Sequence, residues 1–259
     1  RFSLILYKYE IMIIRNRIIP FKYGNATINS IYFVRRQHFL DKRLLDELMS
    51  DVSKPARYMG NEYNMVEKDV HSVDIRFVFA FPDVYEVGMS HLGMKILYHI
   101  MNERDDTYCE RVFAPWIDME YQMRQNDIPL FALETKDPLS MFDFVGFTLQ
   151  YEMSYTNILN MLDLAHIPLT SNERDDSYPI IIAGGPCAYN VEPLADFIDL
   201  AVMGEGEEVI HEILDLYKKC KLKGIKKNDF LMQSAQIPGV YVPKFYDISY
   251  DGQGKIKSI

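Results

Sequence analysis

Cysteine is scarce in this sequence. Of 259 residues only Cys109, Cys187 and Cys220 are cysteines, and none of them lies in a CxxC arrangement. An odd number of widely spaced cysteines supports neither a disulfide framework nor a zinc knuckle. Because free thiols are typical of a reducing compartment, we expect a cytoplasmic protein.

Long apolar segments are also absent. The hydrophobic runs are short and interrupted by charged residues, far below the roughly 18 to 20 residues that a membrane-spanning helix needs. The amino-terminal region has no continuous apolar centre and no small-residue cleavage site of a signal peptide. We therefore expect no membrane association. Hydrophobic residues make up 48% of the chain, which at this length is enough to bury the core of one large domain.

The phosphate-binding signatures GxGxxG and GxxxxGKS or GxxxxGKT do not occur, which weakens a nucleotide-binding interpretation. The formal net charge is −9, and residues 1–36 carry seven Lys or Arg against the single Glu10, which leaves −15 on the remainder. An acidic main body argues against a nucleic-acid surface.

Residues 1–36 are expected to lie outside the main domain. They mix Ile, Tyr and Arg without a period of 2 or 3.6 residues. Two interpretations remain open: an upstream extension without a role in function, or a real basic arm or edge strand. Residues 37–73 are predicted to be a helical lead-in, because FLDKRLLDELMS places four leucines on one face of a short helix.

Residues 74–222 alternate between apolar strand patterns and apolar-periodic helix patterns. This alternation is typical of a parallel sheet with helices on both faces, so we predict a doubly wound, five-stranded α/β domain. The predicted strands are 74–81, 108–115, 144–151, 179–185 and 198–204, with a short strand at LFALET as an option, and the predicted helices are 90–103, 117–125, 155–165 and 206–220.

Residues 223–259 differ in composition from the rest. A lysine-rich loop and a short helix at 228–236 are followed by aromatic-rich segments on either side of Lys244 and by a glycine-containing turn at 251–254. We predict a helix and a β-hairpin that connect this domain to a further one. The chain is therefore expected to be the front part of a longer protein.

Four predicted loops follow the carboxyl ends of strands, where ligands bind in open parallel α/β sheets. Their sequences are PDVYEVGMSH, TLQYEMSY, GGPCAYN and GEGEE. Thr148 and Gln150 share one side of an extended segment, because strand side chains alternate with a period of 2. Gly184 and Gly185 remove side-chain bulk, so that a flat or bulky ligand can approach the backbone.

The same loops also have explanations that need no ligand. A glycine pair serves a turn with positive φ, and Ser154 suits a helix N-cap. The carboxylates of GEGEE are favoured at a helix amino terminus by the helix dipole, at about 0.3 to 1 kcal/mol each. If a ligand binds there, those carboxylates disfavour a phosphate and suit hydroxyl or amide groups.

No catalytic or metal-binding arrangement is indicated. The histidines are scattered without metal-ligand spacing, and no Ser-His-Asp or Cys-His arrangement can be derived from their positions. Loop carboxylates such as Asp83 and Glu86 are more often caps or solvated groups than acids or bases. We predict no catalytic or metal-ligating side chain in this chain.

A family resemblance rests on three runs of sequence. IIIAGGPCAYNVEPLADFIDLAVMGEGEEVI resembles the GGP, PEPLADFxD and GEGE motifs of the cobalamin-binding-like domain at the front of many radical S-adenosylmethionine (radical SAM) proteins, and FPDVYEVGMSHLGMKILYHIMN and GFTLQYEMSYTNILNMLDLA are similar to one subfamily of them. The resemblance covers residues 40–259. It implies a flavodoxin-like (Rossmann-like) domain, cobalamin as a cofactor, and a downstream radical SAM domain of the same polypeptide as partner.

The implied radical domain holds a 4Fe-4S cluster on a CxxxCxxC motif, whose three thiolates bind three irons while the fourth iron binds S-adenosylmethionine. This sequence contains no such motif. The cluster and S-adenosylmethionine are therefore expected only in the downstream domain, and no radical catalysis is expected from this chain alone.

Cobalamin domains that supply a histidine to the cobalt carry it in a DxHxxG loop. Asp83 and Gly88 keep the ends of that loop, but Tyr85 stands at the histidine position. A neutral phenol with a pKa near 10 is a poor replacement for imidazole. The SxL motif of the family is only loosely matched by the segment from Thr148 to Gln150, whereas the glycine pair matches the third motif.

Three interpretations remain open. The domain binds cobalamin without a histidine below the cobalt; it retains the fold as a cofactor-free structural, interaction or substrate-positioning module; or it is a stand-alone flavodoxin-like protein for another small ligand. His91 is a less favoured substitute for the missing histidine. The residues predicted to bind a cofactor are Asp83, Tyr85, Gly88, Ser90, His91, Thr148, Gln150, Tyr151, Gly184, Gly185, Pro186, Glu205, Gly206 and Glu207.

Overall fold

The structure is a computed structural model that describes residues 12–14, 17–19 and 42–258. The chain divides into two units, Arg1–Gln37 and His38–Ile259. In the first unit, Met12–Ile14 and Arg17–Ile19 pair as a small antiparallel sheet. The rest of the predicted extension at 1–36 lies outside the described residues.

A six-stranded sheet forms the centre of the second unit, and a separate two-stranded hairpin follows it. The strands of the sheet are β1 (Ile75–Phe81), β2 (Thr107–Phe113), β3 (Phe144–Thr148), β4 (Ile180–Gly184), β5 (Leu200–Val202) and β6 (Val240–Tyr241), and those of the hairpin are β7 (Ser249–Tyr250) and β8 (Ile256–Ser258).

The strand order in the sheet is β2-β1-β3-β4-β5-β6. The first five strands are parallel, and β6 pairs antiparallel with β5. The order 2-1-3-4-5 is that of flavodoxin-like folds, in which the ligand crevice opens at the switch point between β1 and β3. The predicted α/β fold with five parallel strands and a terminal hairpin is confirmed.

Helices cover both faces of the sheet. Those that precede and separate the strands are α1 (Lys42–Ser50), α2 (Ala56–Met59), α3 (Tyr85–Gly88), α4 (Leu92–Asn102), α5 (Ile117–Asn126), α6 (Tyr155–Leu164), α7 (Gly206–Leu222) and α8 (Lys227–Ser234). Short 3-10 turns lie at Leu139–Met141, Glu152–Ser154, Ser171–Glu173, Pro186–Asn190, Glu192–Leu194 and Pro243–Phe245.

The hydrophobic core has two parts, one on each face of the sheet. On one face, α1, α5 and α6 bury residues such as Leu48, Met119 and Ile158. On the other face, α4, α7 and α8 bury residues such as Met101 and Ile213. Side chains from β1, β3 and β4 contribute to both parts, which explains why the sequences of these strands are nearly continuous apolar runs.

The helix α7 illustrates how the sequence specifies an element of this domain. Buried Ile210, Ile213 and Leu214 recur at the helical spacing that forms one apolar stripe. Acidic residues occupy its first turn, and Lys219 and Lys221 occupy its last. Both placements stabilise a helix through the charges at the two ends of its macrodipole.

The carboxyl-terminal segment departs from the predicted hairpin in one respect. The first aromatic-rich segment before Lys244 does not pair with the second; instead Val240–Tyr241 joins the main sheet as β6. The hairpin is formed farther along, by β7 and β8 around the turn at 251–254. Residues of the predicted connector also enter the core, where Phe230 and Val242 are fully buried.

The predicted strand at LFALET is reduced to a single bridge between Phe131 and Pro138. The segment that contains it folds against the edge strand β2, where the backbone of Leu133 donates to the carbonyl of Arg111. Because this segment covers the edge strand, the backbone groups of that strand are less available to pair with a strand of another chain. Among the described residues, no helix is long and apolar enough to cross a membrane.

Candidate functional site

A cavity of about 430 Å³ lies at the carboxyl ends of β1, β3, β4 and β5, on the face of the sheet covered by α4 and α7. Its floor is formed by the aromatic and aliphatic side chains of Phe77, Phe79 and Ile182. This is the position at which open α/β sheets bind ligands. The volume falls in the lower part of the range of about 300 to 1,000 Å³ that small-molecule sites occupy.

Glycines keep one wall of the cavity open. A Cβ atom on Gly184 would meet nothing nearer than Val202 at 4.0 Å, so the space beside this glycine is empty. At Gly185 the backbone has φ +100°, and a Cβ would lie 3.0 Å from the carbonyl oxygen of Leu149. Gly185 is therefore required by its turn, whereas Gly184 is not required by backbone geometry and lines the open cavity.

Nine of the fourteen residues predicted from sequence line this cavity. They come from four different segments, which the fold brings together as expected from their places after the strands. The nine are His91, Thr148, Gln150, Gly184, Gly185, Pro186, Glu205, Gly206 and Glu207.

Polar groups are few and are placed around the apolar floor. Thr148 is buried, and its hydroxyl oxygen accepts a hydrogen bond from Nε2 of Gln150 at 2.5 Å. Glu205 precedes α7 as its N-cap without a side-chain capping bond, and Glu207 lies in the first turn. The arrangement matches small-molecule sites, in which a few polar groups orient a ligand held by apolar contacts.

His91 has a defined role at the start of α4. Its Nδ1 accepts a hydrogen bond from the backbone N–H of Met94 at 3.1 Å, and its ring packs on Phe81 with centroids 5.4 Å apart. Because Nδ1 accepts, Nε2 carries the hydrogen in the neutral ring. In this tautomer neither ring nitrogen of His91 has a free lone pair for a metal.

Tyr85, by contrast, does not line the cavity. Its hydroxyl donates to Oε1 of Glu62 at 2.8 Å, and its ring meets Phe113 edge-on at 5.3 Å. Burial, together with the hydrogen bond to Glu62, raises the pKa of Tyr85 to about 12. The phenol therefore stays protonated and is engaged in a contact at the edge of the sheet.

The contact of Tyr85 belongs to a buried ionic network on the edge strand β2. Arg111 donates to Oε2 of Glu62 at 2.8 Å and to Oε1 of Glu134 at 2.6 Å. Burial raises the pKa of Glu134 to about 7, although the charge of Arg111 opposes it. The hydrogen bond from Tyr85 and the charge of Arg111 outweigh burial and lower the pKa of Glu62.

The four remaining predicted residues also lie outside the cavity lining. Oδ2 of Asp83 accepts a hydrogen bond from the hydroxyl of Tyr151 at 2.7 Å, which joins the loops after β1 and β3. Gly88 is buried where a Cβ would clash with the ring of Phe113 at 2.3 Å. Ser90 donates from its hydroxyl to the carbonyl of residue 86. Each of these residues has a local structural role.

Several lining residues were not predicted from the sequence. They are mostly core-type side chains whose access to a cavity has no signature of its own. One signal was present, because Gly146 interrupts an otherwise apolar strand, and a glycine inside a strand often marks a close approach. The lining residues missed in this way include Phe77, Phe79, Gly93, Leu97, Met101, Gly146, Ile182, Val202, Gly204 and Ile210.

In the part of the chain that the structure describes, no group of three His, Cys, Asp or Glu side chains is placed to hold a metal ion. The three cysteines are free, with Cys109 and Cys220 buried and Cys187 partly exposed. Burial raises the pKa of Cys109 well above its ordinary value. None of the three cysteines lines the cavity.

The strand order of the sheet and the cavity at the carboxyl ends of its strands are those of an α/β domain of the flavodoxin-like type. Comparison with known proteins places it more closely: the family described as "Radical SAM proteins, N-terminal" matches residues 93–243, more than half of the chain. The chain belongs to this family.

A relative of this chain is the uncharacterized protein MJ0966 of Methanocaldococcus jannaschii, which is 25% identical over 139 residues. The aligned region covers 52% of this chain and 25% of the relative. The chain thus spans about a quarter of the length of the relative that it matches. No solved structure matches the chain.

The residues present do not fit a cobalamin whose cobalt is bound by the protein. Tyr85, at the position of the ligand histidine, uses its hydroxyl as a donor to Glu62 and lies outside the cavity. His91 lines the cavity, but its Nδ1 is occupied by Met94.

Proposed function

We propose that this chain is the ligand-binding amino-terminal module of a radical SAM protein, and that it holds a small planar ligand in the cavity and positions it for a downstream radical domain. The observation that carries the proposal is the glycine-walled cavity at the carboxyl ends of the parallel strands. Membership of the family supports the link to radical chemistry. In this proposal the 4Fe-4S cluster and S-adenosylmethionine belong to the downstream domain.

The test uses benzimidazole as a planar probe and follows backbone amide NMR signals during titration. We expect the signals of Gly184 and its neighbours to shift, and we expect the shifts to be lost in Gly184→Val, which fills the empty space beside this residue. Gly252→Val is the matched control, because Gly252 also has open space around it but lies in the terminal hairpin. Absence of shifts at the cavity in the wild type would contradict the proposal.

A second candidate is a cobalamin that enters by its nucleotide tail and takes no cobalt ligand from the protein. The observation in its favour is that the cavity is large enough for a fused ring and is bounded by the glycine pair Gly184 and Gly185. Titration with hydroxocobalamin, followed by the visible spectrum, tests it. Binding that is lost in Gly184→Val and spectrally unchanged in Tyr85→Phe supports this candidate, and no binding at high micromolar cofactor removes it.

We assign the downstream radical domain to the face that carries the cavity mouth. Large apolar side chains are exposed there in the segments that follow the strands: Leu92 is 68%, Met153 is 87% and Tyr189 is 73% exposed. Apolar side chains exposed beside a site are typical of an interaction surface when they form a continuous patch. A domain docked on this face would close the cavity and meet the ligand directly.

The assignment of the partner has its own test. We expect a CxxxCxxC motif to be encoded in the same reading frame after Ile259, because the thiolates of that motif hold the cluster of a radical SAM domain. A reading frame that closes without such a motif would contradict the proposed partner and leave the ligand-binding proposal to be judged by the benzimidazole titration.

A further inference from the structure

Among the described residues, carboxylates line the cavity without lysine or arginine side chains beside them. Glu205 and Glu207 are the ionisable carboxylates in its lining, and no Lys or Arg is among the lining residues that the structure describes. In the described part of the chain, the side chain of neither glutamate forms a hydrogen bond or an ion pair with another residue. Glu205 is exposed at the mouth, and Glu207 is half-buried in the first turn of α7.

The positive end of the helix dipole, at the amino terminus of α7, compensates the negative charge of the two glutamates only in part. The end of a helix carries about half of a positive elementary charge, whereas the two carboxylates carry two negative charges when ionised. The net field at the mouth of the cavity is therefore negative. An anionic ligand would be repelled by it, and a cationic or hydrogen-donating ligand would be attracted.

The buried polar groups deeper in the cavity supply the complementary contacts. Thr148 is only 6% exposed, and its hydroxyl oxygen accepts a hydrogen bond from Gln150. The hydroxyl can also donate, and among the described residues no hydrogen bond is formed in which it does. A buried hydroxyl that lacks an acceptor destabilises the folded protein unless a ligand or a water molecule accepts its hydrogen bond. The cavity lining thus combines one buried hydroxyl with two carboxylates.

We infer that Glu205 and Glu207 make this cavity selective for a planar ring that is uncharged or positively charged and carries N–H donors, in preference to carboxylate or phosphate ligands. The inference rests on the proposed ligand-binding function. The N–H groups of the ligand would face the carboxylates, and an acceptor atom of the ring would take the hydrogen of Thr148. The ring itself would contact the aromatic side chains of Phe77 and Phe79, which line the cavity at an interplanar angle of 61° to each other.

The test compares three probes of nearly equal shape and different charge: benzamidine, benzamide and benzoate. Their affinities for the chain are measured by NMR titration of the cavity signals. We expect benzamidine to bind about tenfold more tightly than benzoate at low salt, which corresponds to about 1.4 kcal/mol, with benzamide between them. Raising the salt concentration should narrow this difference, because exposed charges are screened.

The variants separate the role of the two glutamates from that of the helix. In Glu205→Gln/Glu207→Gln we expect the preference to fall to within about twofold while benzamide still binds. Glu208→Gln is the matched control, because Glu208 lies in the same first turn but does not line the cavity, and it should keep the preference.

The outcomes distinguish the inference from the function on which it rests. If benzamide binds at the cavity but all three probes bind equally well, the selectivity is overturned and the proposed function stands. If the preference survives in the double variant, the two glutamates are not its source and the inference is also overturned. If no probe shifts the cavity signals, both the inference and the proposed function fail.

Discussion

The hydroxyl of Tyr85 donates to a carboxylate oxygen of Glu62 at 2.8 Å, and this bond ties the loop after β1 to the segment that precedes the strand. The same carboxylate accepts from Arg111 with its second oxygen. Tyr85 is therefore the outer member of a structural network. The hydrogen bond to Glu62 occupies the hydroxyl of Tyr85 and holds it outside the cavity.

Replacing Tyr85 by phenylalanine should lower the free energy of unfolding by about 1 kcal/mol, because Glu62 loses one of its two partners. Equilibrium unfolding in urea measures the change. Tyr121→Phe is the control, since Tyr121 is 61% exposed, and its change should stay within about 0.5 kcal/mol. Equal stability of the two variants would show that the bond to Glu62 contributes nothing.

The buried carboxyl of Glu134 should make stability depend on pH. Its folded-state pKa of about 7 lies above the ordinary value of 4.5, so the folded state binds more protons between these pH values than the unfolded state does. The stabilising contribution is therefore complete below about pH 4.5 and is lost as the pH rises through about 7.

The free energy of unfolding of the wild type should thus fall relative to that of Glu134→Gln by about 1 kcal/mol or more as the pH rises from about 4.5 to 7. Urea unfolding at several pH values measures the difference between the two proteins, which cancels the contribution of most other groups. A difference that is constant across this range, or that grows with pH, would contradict the assigned direction of the pKa of Glu134.

Replacement by alanine should destabilise the protein at one glycine of the sheet and leave its stability unchanged at another. A Cβ on Gly146 would lie 2.4 Å from the ring of Phe77, so Gly146→Ala should cost about 1 to 3 kcal/mol through overpacking. Gly184→Ala places its methyl group in open space and should change stability by no more than about 0.5 kcal/mol. Similar losses in both variants would mean that the space beside Gly184 is not open.

The guanidinium of Arg174 should not be replaceable by an ammonium. It is fully buried beside Asp199 and donates to the carbonyls of Pro168, Leu169 and Phe197. A single ammonium cannot reach all of these acceptors, so Arg174→Lys should cost about 2 kcal/mol or more.

The control for this substitution is Arg124→Lys, because Arg124 forms ion pairs with Glu120 and Asp163 at the surface and is 43% exposed. Its cost should stay below about 0.5 kcal/mol. Thermal or urea unfolding of the two variants measures the contrast, and a loss of the same size at both positions would show that burial of Arg174 is not the cause.

Much of the fold could be predicted from the sequence because hydrophobic periodicity is a local signal. The alternation of patterns from β1 to α7 specified five parallel strands and the helices between them. The antiparallel strand β6 could not be predicted, because only two residues, Val240 and Tyr241, pair with β5 and no periodicity exists over so short a segment.

The candidate site could be predicted in part for the same reason. Residues that follow strands are brought together by the topology, so Thr148, Gly184 and Glu205 were expected to meet, and they line one cavity. The orientation of Tyr85 could not be predicted, because it depends on Glu62 and Phe113, which lie far from it in sequence. The sequence does not distinguish an aromatic residue that lines a cavity, such as Phe77, from an aromatic residue of an ordinary core.

The short strand β6 sets a practical limit on how this domain can be cut from a longer polypeptide. A fragment ending at residue 222, where the helix α7 ends, would leave the outer edge of β5 without a partner and remove Phe230 and Val242 from the core. An open edge of this kind pairs readily with other chains. A recombinant fragment intended for ligand titrations should therefore extend past Val242, or it will report on aggregation instead of binding.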